Sequence, residues 1–84
     1  MAKTSPTPAY PMFPEDAATV TPSDSADLAQ FSVVYVGTGG NVKVTTAQGT
    51  AVTFSNAVAG TVLPVRVRRV WSTGTTATNL LAIF

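Results

Sequence analysis

The sequence predicts an all-β protein: a small antiparallel β-sandwich or barrel of about five to six strands behind an extended proline-rich N-terminal arm. Three observations predict it. The 84 residues are rich in valine, threonine and alanine, and 45% are hydrophobic with no helical period. All six glycines lie after Val36, where they punctuate short β-branched runs. Five of the six prolines, Pro6, Pro8, Pro11, Pro14 and Pro22, precede those runs. The chain thus divides into an arm over residues 1–22 and a β-domain over residues 23–84.

In the arm, proline every two or three residues blocks helix continuation and biases each preceding residue toward extended conformations. Tyr10, Met12 and Phe13 are large and apolar for a solvated segment. Two readings are open: a solvated tail that carries them incidentally, or an arm that lies along a partner and anchors through Tyr10 and Phe13. No continuous apolar stretch suits a signal peptide, and none approaches the roughly 18 residues of a membrane span. Residues 21–30 follow as one helical turn, with Thr21 as N-cap and Pro22 at the first helical position, or as a structured loop.

The β-domain starts with Phe31 to Val36, which ends at Gly37-Thr-Gly-Gly40. Asn41 to Thr46 alternates, with Val42 and Val44 on one face and Lys43 and Thr45 on the other. Ala47-Gln48-Gly49 makes a short hairpin connection, after which Val52 and Phe54 continue the inward face. A looser connection leads to a long strand from Thr61 to Ser72. A polar turn over 73–79 then precedes a final apolar strand, Leu80 to Phe84. Within the long strand Val65 and Val67 alternate with Arg66 and Arg68, but strict alternation would bury Arg69. A β-bulge at Arg68-Arg69 lets Val70 rejoin the valine face and leaves all three arginines accessible beside an exposed Trp71.

Composition excludes most catalytic chemistry. With no cysteine and no histidine there is no thiolate, no disulfide, no imidazole base and no common soft metal ligand, so neither an enzyme nor a cofactor is expected. Four acids sit in residues 1–30 with one lysine, for a net −3. Lys43, Arg66, Arg68 and Arg69 give residues 31–84 a net +4 with no acid. Nucleic acid is not the expected partner, because the cations are few and no recognition motif accompanies them. Gly37-Thr-Gly-Gly40 lacks the lysine and helix of a phosphate loop and is a turn. Arginine with tryptophan suits a protein interface instead. A body of about 55 residues also supplies only about 3–5 kcal/mol from one core, so without disulfide or metal, self-assembly is expected.

The runs Thr21-Pro-Ser-Asp-Ser-Ala-Asp-Leu28 and Tyr35-Val-Gly-Thr-Gly-Gly40 resemble the head spike base proteins of gene transfer agents and related tailed bacteriophages. So do Ala59-Gly60, Leu63-Pro-Val-Arg-Val-Arg-Arg-Val70 and Thr73-Gly-Thr-Thr-Ala-Thr78, and the similarity runs from about Val20 to the C-terminus. The resemblance implies a virion protein made in the cytoplasm of a bacterial host and carried on the capsid surface. It would assemble with itself as a pentamer at five-fold vertices, seated on major capsid protein and holding a spike or fibre for host attachment. Two alternatives stay open: a capsid decoration (cement) protein, or a carbohydrate-binding host-attachment module that stacks sugar on Trp71. The residues expected at interfaces are Tyr10, Phe13, Arg66, Arg68, Arg69 and Trp71.

Overall fold

The computed structural model describes residues 14–84 and contains six strands: β1 (Ala17–Thr19), β2 (Val33–Thr38), β3 (Gly40–Thr46), β4 (Ala51–Ala57), β5 (Val67–Val70) and β6 (Thr78–Ile83). No helix occurs among the described residues. All pairings are antiparallel, in two three-stranded sheets ordered β1-β6-β2 and β4-β3-β5. One buried cluster joins them. Val34, Val36, Leu80 and Ala82 come from the first sheet, and Val42, Val44, Val67 and Val70 from the second. The expected all-β fold is therefore a two-layer sandwich.

Register explains which residues meet. Val34 lies opposite Ala82 and Val36 opposite Leu80, so alternation places all four on one face. In the second sheet Val44 lies opposite Val70 on one side and Val52 on the other. Val44 is fully buried, but Val52 is 37% exposed, which corrects its expected inward position. Val52 is on the correct face, yet β4 is an edge strand, and from it Phe54 and Ala57 pack against the core.

The expected turn and bulge are both present. Gly49 has φ 97°, a left-handed conformation that glycine adopts without strain, and its N–H donates to Thr46 O at 2.8 Å. Between β3 and β5, Thr45 pairs with Arg69 and the adjacent Thr46 pairs with Val67, leaving Arg68 as the extra residue. Val67 and Val70 are both buried as a result, at 0% and 2% exposure.

The single long strand from Thr61 to Ser72 is not found. Val36 N–H donates to Thr61 O, Leu63 N–H donates to Val34 O, and Val62 bridges Tyr35, so this part lies along the first sheet. Val65 N–H then donates to Leu63 O in a tight turn centred on Pro64, and the chain crosses to β5 in the second sheet. Proline's fixed φ suits such a turn, and its missing donor ends the pairing.

Residues 21–30 form a loop, not a helical turn. The Ser23 hydroxyl accepts the N–H groups of Ser25 (3.2 Å) and Ala26 (3.1 Å). Within the range read as arm, Ala17–Thr19 is β1, paired along β6, and Val20 is buried in the core.

Two substitutions test this packing. Leu80→Ala removes one of the largest fully buried side chains and should cost about 2–5 kcal/mol in urea denaturation. Gly37→Ala would bring a Cβ to 2.7 Å from that of Asn79 on the neighbouring strand, and overpacking there should cost about 1–3 kcal/mol by the same assay.

Candidate interaction surface

The expected interface residues of the body gather around β5, but not as one free basic patch. Arg69, turned outward by the bulge, donates through Nε to Asp27 Oδ1 at 2.8 Å. Its Nη1 and Nη2 reach the carbonyls of Asp24 (3.2 Å) and Ser25 (3.4 Å). One guanidinium thus holds the 24–27 loop against the sheet. Asp24 completes the clasp, since its Oδ1 accepts the Thr73 N–H at 2.8 Å and its Oδ2 the Thr73 hydroxyl at 2.5 Å. The Thr73 hydroxyl, followed by the Thr73 amide, holds the Asp24 carboxyl below the ordinary aspartate range.

Trp71 is half-buried instead of exposed. Its Nε1 donates to Thr45 Oγ1 at 2.9 Å. Lys43 Nζ stands 4.6 Å and Arg69 Cζ 5.3 Å from the ring centroid, both within cation–π range. Alternation along β3 puts Lys43 and Thr45 on the outer face beside β5, so the ring lies across that face. Arg66 is separate: its Nη1 donates to Phe31 O at 3.2 Å. Arg68, the bulged residue, sits near the hairpin glycine Gly49, and its guanidinium forms no ion pair with any described residue. Tyr10 and Phe13 lie outside the described residues.

The structure therefore brings Arg69 and Trp71 together and adds Lys43, Thr45, Asp24, Asp27 and Thr73, which were not among the expected site residues. Lys43 and Thr45 were legible as the outward half of an alternating strand. The acids carried no local signal, because Asp27 lies 42 residues from Arg69. Among the described residues no group of three or more histidine, cysteine, aspartate or glutamate side chains could hold a metal. No helix among them is long and apolar enough to cross a membrane.

No protein-family model matches the chain, and no curated protein matches it either. A solved structure does: a chain from the capsid of a native GTA (gene transfer agent) particle, computed with C5 symmetry. It superposes with a TM-score of 0.75 at 40% sequence identity, covering 84% of this chain and 83% of that one. The chain belongs to this family of GTA capsid components.

For a GTA capsid component, the electrostatic finding changes the meaning of the charge split. The acidic stretch before residue 31 and the basic body meet within one chain, where Asp27 engages Arg69. Exposed pairs of this kind contribute up to about 1 kcal/mol. The clasp orders a loop more than it stabilises the fold.

Arg69→Ala should accordingly leave the global unfolding transition nearly unchanged. It should speed hydrogen exchange at the Leu28 amide, which donates to Arg68 O at 2.7 Å beneath the clasp. Acid should act at the other end. A depressed folded-state pKa gives Asp24 a stabilising contribution that is present above the unfolded value of about 3.9 and is lost as pH falls through the folded value. The Thr73 amide resonance should therefore titrate below pH about 3.9, and Asp24→Asn should abolish that titration.

Proposed function

We propose that the chain is the base subunit of a head spike. Five copies form a ring at each five-fold vertex of the capsid, seated on major capsid protein and carrying a spike or fibre that contacts the host. The observation that carries this reading is the 40% identity, over 84% of the chain, to a component of a GTA capsid computed with C5 symmetry. Five-fold symmetry is the symmetry of a vertex, and a subunit repeated about that axis is a natural seat for one protruding appendage. The chemistry agrees. The described surface offers hydrogen-bonding strands, arginine and half-buried aromatics, which suit protein contacts.

A carbohydrate-binding module fits less well. Sugar stacking needs an open aromatic face, and the Trp71 ring already has Lys43 and Arg69 against it and its N–H committed to Thr45. A decoration protein differs in distribution, because it would occupy positions across the shell.

Particles assembled without this chain should keep an intact shell and lose density at the five-fold vertices in cryo-electron microscopy. Complementation with the full chain should restore five copies per vertex. Restored density spread over the hexagonal positions of the shell would replace the spike-base reading with the decoration one.

A further inference from the structure

Two three-stranded sheets have four outer edges, and the chain treats them unequally. The edge of β5 is covered by the loop before β2. Ser23, Leu28 and Ser32 donate to Val70 O, Arg68 O and Val67 O at 2.9, 2.7 and 3.0 Å, and Val67 N–H returns to Ser32 O. The edge of β2 is covered by the segment after β4, through Gly60 N–H to Val36 O and Leu63 N–H to Val34 O. β1 is three residues long, and the Asp16 carboxylate accepts its Ala17 N–H at 2.8 Å. Short strands, inserted charges and covering loops are the usual protections of an edge.

β4 has none of these among the described residues. Ala51-Val-Thr-Phe-Ser55 carries no charge and no proline, and all but Phe54 are exposed. The hairpin bond from Thr46 N–H to Thr50 O sets the alternation along β3 and β4. It follows that Ala51, Thr53 and Ser55 aim their N–H and C=O groups away from β3. Beyond Ser55 a bulge bends the strand, where Asn56 has φ 57° and its N–H is taken by Asn41 Oδ1. The open stretch is thus five residues with three outward-facing backbone pairs.

The sequence contains a segment of matching chemistry. In Ser5-Pro-Thr-Pro-Ala9 the backbone donors belong to Ser5, Thr7 and Ala9, while Pro6 and Pro8 have none. Alternate residues of an extended strand address opposite edges. Such a strand offers three paired donors and acceptors on one side and, on the other, prolines that stop further addition. No charge occurs between Thr4 and Pro14 to oppose its docking on an uncharged edge.

We propose that Ala51–Ser55 of β4 receives the Ser5–Ala9 segment of a second copy as an added strand. This rests on the ring reading above. A β4-to-β4 contact would be two-fold and stop at a dimer, whereas arm-to-β4 is head-to-tail and repeats around a closed ring. The prolines then make the receiving sheet finite.

The absence of native cysteine allows a direct test by disulfide trapping. A Thr7→Cys copy is mixed with a size-tagged Thr53→Cys copy, reassembled and mildly oxidised. The mixed disulfide species should exceed, by tenfold or more, that formed when Ser25→Cys, in the loop that covers the β5 edge, replaces Thr53→Cys. Thr53→Pro should keep the β-type circular dichroism, because its donor faces away from β3, and should sediment as a monomer. An oligomer without the mixed disulfide, in which Thr53→Pro also assembles, overturns this inference and leaves the ring reading standing. A Thr7→Cys/Thr53→Cys double variant that closes only within one copy overturns the exchange between copies. A native chain that sediments as a monomer at every concentration overturns both readings.

Discussion

Unsatisfied backbone at a strand edge is the constraint that shapes this fold. With three strands per sheet among the described residues, β3 and β6 alone of those six have strand partners on both sides, so most of the ladder is edge. A buried or half-buried N–H or C=O without a partner is costly, and an exposed one is an invitation to pair. The connections answer this. Residues 23–32 and 60–63 carry serine, glycine and little regular structure, yet each runs along an edge and donates to it. They act as covers that also join the layers, which is why so short a chain closes a sandwich.

The bulge at Arg68 solves a second problem set by the first. β5 must bury valines against the opposite sheet and also present a cation to its covering loop. Two buried valines three residues apart do not fit strict alternation; one extra residue restores the phase and turns Arg69 outward to the loop carbonyls. This was legible in the sequence, because the valine and arginine periods conflict there. The alternation of β3 and the glycine hairpin were legible as well, whereas β2 and β6 were legible from β-branched and apolar composition and start two residues to either side of the bounds that composition suggests. The break at Pro64 was legible only in part. Its missing donor marks a strand start or an edge, but Leu63, Val65 and Val67 keep their alternation across it, and a change of sheet leaves residue parity intact. β1, Ala-Ala-Thr, has no pattern of its own and exists because β6 offers it a register.

The site was legible by halves. Arginine and tryptophan close together in sequence marked where side chains cluster, and alternation put Lys43 and Thr45 on one face of β3 beside them. Which groups would meet them was a tertiary matter. Asp24 reaches Thr73 across 49 residues, and composition could show only that acids and cations were segregated. A segregated charge pattern suggests attraction between copies as readily as within one. Geometry decides the matter for Arg69 alone: its clasp lies within one chain, where it orders the 24–27 loop.

Besides charge, the described surface offers apolar side chains and open backbone. Among the described residues the buried hydrophobic core consists of valine, leucine and alanine, with no aromatic member. Phe31, Tyr35, Phe54, Trp71 and Phe84 all keep part of their surface in solvent, as does Val58 at 69% exposure. Aromatic side chains bring the largest apolar area per residue. Here the described residues keep part of that area at the surface, and Phe54 lies on β4, whose outer edge has no partner among them. Because a core this small gives a narrow stability margin, burying rings and edge against a neighbour would add to the free energy of folding itself. On the ring reading proposed above, assembly and folding would be coupled, because a ring of copies would enclose rings and backbone that a lone subunit leaves exposed.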